Sequence, residues 1–357
     1  MMKKQHRFHN GSKQAAALAA AAVIMSPGLV PAADPPELAS WYKVNAAQRA
    51  KVVEFIGGAQ VNIWPATGLP NTGGGVATPA YSDIQRIRHS AGNIYVEATG
   101  LASHVMGPWY MNAAKTQIFG NWPASQTYLF RIPRVPSVQG GAKTRLGFGN
   151  VGIWINGVGL FSGLDTFSYR NASATETPTG DGYWWRSAIA AEAVTFDPAY
   201  AHQPTTGQYH YHASPLGLRF QLGDNMAQVG SAYLESTGPL THSPILGWAL
   251  DGYPVYGPYG YSDPASTASA IRRMVSGFVE RNGTSGTTNL AATGRATLPA
   301  WSATLYAHSA TPAPQFHGPA VSVSKPLGWY AEDFDYLGDL GFTQGVHFDL
   351  GPVVNSA

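Results

Sequence analysis

The sequence predicts a mainly β, sandwich-like single domain with long loops and one or two peripheral helices. Charged residues make up only 12% of the 357 residues, against about 25% in a typical soluble domain. Gly (41) and Pro (26) are abundant, and they separate short segments rich in β-branched and aromatic residues, which is typical of strands joined by turns. The low charge and the many aromatic residues exclude a disordered chain, and the composition excludes a coiled coil or helical bundle.

The first 33 residues have the composition of a signal peptide. Met1–Lys13 is basic and polar, Ala15–Met25 is an unbroken apolar run, and Val30-Pro31-Ala32 offers small residues before a cleavage site. The apolar run is much shorter than the about 20 residues that span a membrane. We therefore expect cleavage after Ala32 or Ala33 and a periplasmic or secreted protein without a transmembrane segment.

The remaining chain is expected to consist of a lead segment, residues 34–79, and a β domain, residues 80–357. Without the four basic residues of the signal peptide, 18 basic residues face 20 acidic ones. No basic patch remains, so a nucleic-acid partner is not expected. The absence of cysteine excludes thiolate metal sites and cysteine nucleophiles, and it requires a core that is stable without disulfides.

The elements follow from local patterns along the chain. Strands are predicted at Tyr81–Arg88, Asn93–Thr99, Gln126–Pro133, Gly152–Val158 with an Asn-Gly hairpin turn, Tyr209–His212 paired with Leu218–Leu222, and Ile245–Leu250. Good helix formers predict a short helical lead within Pro35–Ala50, and Ser262-Asp263-Pro264 predicts the cap of a helix at Pro264–Val275. The Gly/Ala/Thr-rich stretch Gly283–Thr297 is expected to be a flexible insertion.

Three histidines close together in the sequence predict a metal site. His210 and His212 lie two residues apart in a predicted strand, so they project from the same face, about 7 Å apart at the backbone. His202 and Asp197 precede a Gln-Pro-Thr-Thr-Gly turn that could return them to this pair. Imidazoles with a carboxylate suit copper or zinc, among other transition metals. The alternative is that these histidines only bond loop carbonyls or occupy the polar face of a strand.

A rigid turn after the strand Ile245–Leu250 supplies candidate catalytic residues. Asp251-Gly252 turns the chain, and two prolines stiffen the segment that follows. Such a loop could hold Asp251 as a carboxylate ligand or general base, with Tyr253 and Tyr256 lining a substrate wall. The alternative is a structural turn in which Asp251 bonds to its own backbone.

The segment Gln208-Tyr209-His210-Tyr211-His212, preceded by Asp197 and His202-Gln203-Pro204, resembles the signature of the YHYH-domain proteins. The segments Asn156–Phe161 and Ile245–Pro258, together with Arg272–Phe278 and Glu332–Tyr336, are similar to other segments of this family, and the likeness covers roughly residues 80–350. Cysteines that many members carry are missing here, so their disulfides cannot form. The resemblance indicates kinship with exported bacterial proteins, and it implies no particular reaction.

Two classes of function therefore stay open. The first is a copper- or zinc-dependent enzyme, an oxidoreductase or a hydrolase, that acts outside the cytoplasm on a small molecule or a polysaccharide. The second is a non-catalytic protein: a metal carrier, a carbohydrate-binding module, or a structural protein whose histidines support loops. A serine hydrolase is disfavoured because no Gly-x-Ser-x-Gly motif occurs. Elemental analysis separates these alternatives before any substrate is known.

Overall fold

The strands are short and numerous. A computed structural model of the protein describes residues 34–42, 49–56, 59–64, 80–138, 140–142, 144–263 and 265–349. The strands in these ranges are β1 (Lys51–Ile56), β2 (Ala59–Trp64), β3 (Ile84–His89), β4 (Asn93–Ala98), β5 (Val105–Met106), β6 (Tyr128–Pro133), β7 (Asn150–Trp154), β8 (Gly159–Phe161), β9 (Leu164–Arg170), β10 (Thr175–Pro178), β11 (Trp185–Ser187), β12 (Ala201–His202), β13 (His210–Tyr211), β14 (Met226–Val229), β15 (Ala232–Glu235), β16 (Ile245–Ala249), β17 (Pro254–Tyr256), β18 (Tyr259–Tyr261), β19 (Ile271–Arg273), β20 (Phe278–Glu280) and β21 (Phe334–Tyr336).

The helices of the described residues are also short. They are α1 (Pro36–Ala39), α2 (Ala188–Glu192), α3 (Leu216–Gln221), α4 (Leu290–Thr293) and α5 (Ala300–Tyr306), together with 3-10 turns at Asn171–Ser173, Ala193–Thr195, Pro314–Phe316 and Ala331–Asp333. None of the helices in the described ranges has the length and apolarity needed to cross a membrane. The predicted mainly β fold is confirmed, and residues from Pro36 onward cluster as one unit.

The largest sheet has six strands in the order β12-β13-β8-β7-β16-β17. Its centre is the hairpin of β7 and β8, which the predicted Asn156-Gly157 turn closes. Gly157 has φ 83°, and a Cβ at this position would lie 2.7 Å from the Cβ of Ala98. Only glycine fits this turn, because it combines a positive φ with close packing.

A second sheet, β3-β4-β6, shares its core with the six-stranded sheet. In β4 the side chains alternate between buried and half-buried, as expected of a strand with one face in a core. Apolar residues from both sheets belong to one hydrophobic cluster, which also contains Trp41, Ala50 and Val52 of the lead segment. The remaining strands form small sheets: β2-β1-β5, β10-β9-β11, and the pairs β14-β15, β18-β19 and β20-β21.

Six predicted strands correspond to observed ones, namely β3, β4, β6, β7, β13 and β16. The prediction for Leu218–Leu222 was wrong, because these residues belong to helix α3 and the turn that ends it. Leu218 is fully buried, and the neighbouring Arg219 is held inside by Asp224 at 2.6 Å. A buried ion pair fixes this segment as a helix, which the apolar pattern alone did not indicate.

The predicted helix Pro264–Val275 is not formed by its described residues. Residues 265–270 form turns, and Ile271–Arg273 pairs with Tyr259–Tyr261 as β19 and β18. Asp263 accepts a hydrogen bond from the Ala265 amide, and Ser269 Oγ donates to the Ser266 carbonyl. These side chains bond to the backbone in competition with a helix, as Ser and Asp commonly do. The hairpin therefore replaces the helix that the cap signal predicted.

The lead segment and the predicted insertion also differ from expectation. Helix α1 covers only four residues of the predicted helical lead, whose residues 43–48 lie outside the described ranges. Gly283–Thr297 is not a flexible insertion, because Leu290 is fully buried and Arg295 bonds to Asp333 at 2.6 Å. The predicted signal peptide, residues 1–33, lies outside the described residues.

Candidate metal centre

Two neighbouring strands bring the three histidines together. In the antiparallel pair of β12 and β13, His202 lies directly opposite His210. Residues opposite each other on antiparallel strands project their side chains on the same face. His212 follows His210 by two residues and lies on that face as well, so its ring centre is 4.7 Å from that of His210 and 5.6 Å from that of His202.

A glutamate completes the cluster. Glu192 is the last residue of α2, which begins after Ser187, whose side chain accepts from the Ala190 amide. Its carboxylate oxygen lies 3.1 Å from Nε2 of His202 and 3.0 Å from Nε2 of His212. One ligand atom from each of the four residues lies within 4.8 Å of the others. The side chains can therefore surround one small ion.

The hydrogen bonds of the Nδ1 atoms determine which nitrogen of each histidine ring faces the cluster. Nδ1 of His210 lies 2.7 Å from the Gln208 carbonyl, and Nδ1 of His212 lies 2.7 Å from the Ser162 carbonyl. A carbonyl only accepts, so each Nδ1 carries the proton. The Nε2 atoms of these two rings face each other at 2.9 Å, which is within hydrogen-bond distance.

The third histidine has the same tautomer. Thr195 donates its hydroxyl proton to the Glu192 carbonyl at 2.7 Å, so its oxygen is left to accept from Nδ1 of His202, which is also 2.7 Å away. All three rings therefore turn Nε2 toward the centre of the cluster, where the Nε2 atoms of His202 and His212 lie within hydrogen-bond distance of the Glu192 carboxylate. A nitrogen in this position can carry a proton shared with its neighbours or bind a metal ion.

Burial and charge set the pKa values in this cluster. Burial lowers the pKa of His210 well below its ordinary value, and positive charge on His202 and His212 would lower it further. Burial alone would raise the pKa of Glu192, but hydrogen bonds and positive charge from His202 and His212 outweigh it and lower the pKa overall. At neutral pH the cluster thus offers an ionised carboxylate and a neutral His210.

Aromatic side chains surround the cluster, whose residues line a cleft of about 350 Å³. Phe161 stacks on His210 at 3.7 Å between ring centres, Phe119 stacks on His202 at 6.1 Å, and Phe196 stacks on His212 at 6.0 Å. These contacts hold the rings in place and keep the imidazoles largely from water, since the side chains of His202 and His212 are 9% and 5% exposed, whereas that of Glu192 is 24% exposed. Such a preorganised set of donors loses little freedom when an ion binds.

Comparison with protein families found a match that includes the residues of this site. The model of the YHYH protein family matches residues 129–348, which is well over half of the chain. The chain belongs to the YHYH family. No curated protein and no solved structure gave a match to it.

The alternation of Tyr and His that names the YHYH family has a direct structural meaning. His210 and His212 point to the cleft, while Tyr209 and Tyr211 are fully buried in the core on the reverse face of the strand. Each tyrosine hydroxyl finds a partner there: Tyr209 donates to Asp197 at 2.8 Å, and Tyr211 bonds to Nε2 of the buried His104. The tyrosines anchor the strand that carries the histidines.

The sequence prediction that Asp197 supplies the carboxylate is not supported by the geometry. Its oxygens face away from the cluster and accept hydrogen bonds from the Gly107 amide at 2.8 Å and the Ala201 amide at 3.1 Å, in addition to Tyr209. All three partners are donors, which suits a buried carboxylate that supports the fold. Asp197 lies on the other face of the sheet, and the carboxylate beside His202 and His212 is that of Glu192.

The predicted catalytic residues also lie away from the histidines; they are Asp251, Tyr253 and Tyr256. They follow β16 at the opposite end of the six-stranded sheet, three strand positions from β13, which corresponds to roughly 14 Å. Asp251 is exposed and accepts a hydrogen bond from the Tyr253 amide at 3.4 Å. Gly252 has φ 93°, and a Cβ there would lie 2.5 Å from the Pro133 carbonyl oxygen. The segment forms a tight turn away from the histidines, and the catalytic role of Asp251, Tyr253 and Tyr256 stays a prediction.

Sequence reasoning missed Glu192, although a signal for it exists. It is the only charged residue between Arg186 and Asp197, within the apolar run Ala188–Val194. A lone acid in such a run needs a partner if it is buried. The partners, His202 and His212, follow within 20 residues.

Proposed function

We propose that this YHYH protein is an exported, metal-dependent enzyme that binds one copper or zinc ion through His202, His210, His212 and Glu192. The convergence of three imidazole nitrogens and one carboxylate oxygen within 4.8 Å carries this proposal. Imidazole nitrogen and carboxylate oxygen are ligands that zinc and copper accept. The ion would supply either an activated water for hydrolysis or a redox centre.

The residues around the cluster support a resident ion rather than a set of solvated histidines. Each imidazole donates a hydrogen bond from its Nδ1–H group to a fixed acceptor, which is the arrangement that orients metal-binding histidines in general. The acceptors are the carbonyls of Gln208 and Ser162 and the hydroxyl of Thr195. These partners fix the rings before any ion arrives.

The cleft favours an enzyme over a metal carrier. The four residues line a space of about 350 Å³, which is within the usual range for small-molecule sites. A carrier needs no such space beside its ion. The carbohydrate-binding alternative has less support, because seven tryptophans lie in the core and cannot stack on a sugar: Trp41, Trp109, Trp122, Trp154, Trp184, Trp185 and Trp248.

Elemental analysis and metal titration of matched variants test the proposal. Protein purified from its native compartment should contain about one equivalent of copper or zinc. His210→Ala should weaken binding of that metal by at least about 100-fold, since loss of a partner outside the ligand set already costs about 10–100-fold. His89→Ala is the matched control, because His89 is exposed on β3 and outside the cluster.

Circular dichroism and urea unfolding verify that both variants fold. The proposal is wrong if purified wild-type protein holds no metal and binds neither added copper nor added zinc. Metal binding that His210→Ala leaves unchanged would place the ion elsewhere. A bound metal ion without turnover of any small-molecule or polysaccharide substrate would favour the carrier.

A further inference from the structure

A second concave surface, which we call the apolar groove, lies beside the metal cleft. It has a volume of about 620 Å³, and its walls include Leu146, Ile189, Phe278, Trp301, Leu305 and Tyr306. Three of these side chains are strongly exposed for apolar residues: Leu146 at 63%, Phe278 at 52% and Ile189 at 39%. Large apolar side chains gathered around a hollow mark a binding site more often than a random surface.

One cation lies in this apolar wall. The guanidinium carbon of Arg145 is 4.7 Å from the ring centre of Tyr306, 4.8 Å from that of Trp185 and 5.3 Å from that of Phe148. Three aromatic rings around one guanidinium hold it in place through cation–π contacts. The cation is therefore fixed without the help of an acidic residue.

Arg145 forms no ion pair with any described residue. Nine other arginines in the described ranges do pair with a carboxylate: Arg86, Arg88, Arg134, Arg186, Arg219, Arg272, Arg273, Arg281 and Arg295. A guanidinium presents parallel N–H donors that match the two oxygens of a carboxylate. A preorganised arginine at the rim of an apolar hollow thus complements an anion with an apolar body.

We propose that the apolar groove binds a small amphipathic carboxylic acid, with its apolar body against Trp301 and Phe278 and its carboxylate on Arg145. Arg145 is the only charged residue that lines the groove among the described residues. A single cation suits a monoanion better than a phosphate dianion, which would require more positive charge. The volume is within the range of about 300–1,000 Å³ that small-molecule sites have.

The groove and the metal cleft meet at one loop. Leu164 lines both of them, and Ser162, whose carbonyl orients His212, lines the groove. The two cavities therefore share one wall, and a molecule in the groove would contact the loop that also orients His212. Binding of the carboxylic acid in the groove does not depend on the metal. The further idea that such acids are substrates of the enzyme rests on the proposed function.

Calorimetric titration with three matched probes tests the proposal. The probes are 2-naphthoate, the neutral 2-naphthylmethanol and the cationic 2-naphthylmethylammonium, and the protein is treated with EDTA so that the result does not depend on bound metal. We expect one 2-naphthoate per chain and binding of the neutral probe about 10-fold weaker or more, which is the usual effect of losing a charge-assisted hydrogen bond. The cationic probe should bind weakest of the three.

Two variant pairs locate the site. Arg145→Gln should weaken the binding of 2-naphthoate about 10-fold and leave the affinity for the neutral probe unchanged. Arg131 is exposed on β6, so the control variant Arg131→Gln should change neither affinity. Leu146→Asp should abolish binding of 2-naphthoate, whereas Leu129→Asp, at a position 59% exposed on β6, should not. Both groove residues are exposed, so these substitutions should not unfold the protein, and circular dichroism verifies this.

Three results would overturn the proposal. The first is no binding of 2-naphthoate at millimolar concentration, and the second is equal affinity for wild type and Arg145→Gln. The third is a dimer, seen by sedimentation, that Leu146→Asp dissociates, which would make a second copy of the chain the occupant. Metal content measured on the same preparations keeps a failure of the groove distinct from a failure of the metal centre.

Discussion

Replacement of Asp197 by alanine separates a structural carboxylate from a metal ligand. In the structure its oxygens accept from the Gly107 amide, the Ala201 amide and the Tyr209 hydroxyl at 2.8, 3.1 and 2.8 Å. Burial raises the pKa of Asp197 to about 6 although these donors lower it, so the carboxylate is ionised at pH 8. Asp197→Ala at that pH leaves three buried donors without an acceptor.

The number of orphaned donors determines the size of the effect. An unsatisfied buried donor costs about 1–3 kcal/mol. Partial relaxation around the vacated space reduces the sum, so we expect Asp197→Ala to lower the free energy of unfolding by about 3–5 kcal/mol. Asp197→Asn retains an acceptor for two of the donors and turns an amide toward the third, so it should cost about 1–2 kcal/mol.

Urea unfolding followed by tryptophan fluorescence, with EDTA present to remove metal linkage, measures both changes. Asp251→Asn is the control, because Asp251 is exposed and its loss should change stability by no more than about 0.5 kcal/mol. The folded fraction of each Asp197 variant should retain metal. Wild-type stability together with lost metal binding in Asp197→Ala would refute the structural role and restore Asp197 as a ligand.

The remaining predictions concern the histidine support, a buried acid and export. Thr195→Val should weaken metal binding about 10–100-fold by titration, because His202 loses the acceptor that fixes its tautomer, and unchanged affinity would contradict this. Burial raises the pKa of Glu332 to about 8, so the folded state holds its proton more tightly and loses stability as pH rises from about 4.5 to about 8. Glu332→Gln, which cannot ionise, should show a flatter pH profile in urea unfolding, and identical profiles would exclude a raised pKa. Mass spectrometry of the mature, extracytoplasmic protein should find Ala33 or Asp34 first, and an intact N-terminus would contradict the predicted signal peptide.

The sequence predicts the histidine half of the site because strand geometry is local. Side chains two residues apart in a strand share a face, which is sufficient to pair His210 with His212. The short turn before them limits where His202 can go, and the observed register places it opposite His210. These features depend on fewer than 15 consecutive residues, so no knowledge of the overall topology is needed.

The identity of the acidic residue beside the histidines could not be predicted in the same way, because it depends on the topology of the fold. Asp197 is closer in sequence to His202 than Glu192 is, but it turns to the Tyr209 face of the sheet, while the end of α2 brings Glu192 to the histidine face. The strand order that separates Asp251 from the histidines involves crossovers between distant segments. Local patterns carry no information on such pairings.

The fold shows the same division between local and distant determinants. The hairpin at Asn156-Gly157 and the strands with clear alternation follow from the sequence. The cap signal at Ser262-Asp263 is equally local, yet pairing of Ile271–Arg273 with Tyr259–Tyr261 prevails over it. Likewise, α3 depends on a buried pair between Arg219 and Asp224 that composition does not indicate.

X-ray absorption spectroscopy of the metal-loaded protein tests the central claim most directly, because it reports the ligands of the ion. The structure predicts three imidazole nitrogens from His202, His210 and His212 and one carboxylate oxygen from Glu192, at about 2.0–2.2 Å for zinc. His210→Ala should reduce the imidazole count by one, and Glu192→Gln should alter the oxygen contribution. A metal-loaded protein with fewer than three imidazoles, or a spectrum that both substitutions leave unchanged, would contradict the account.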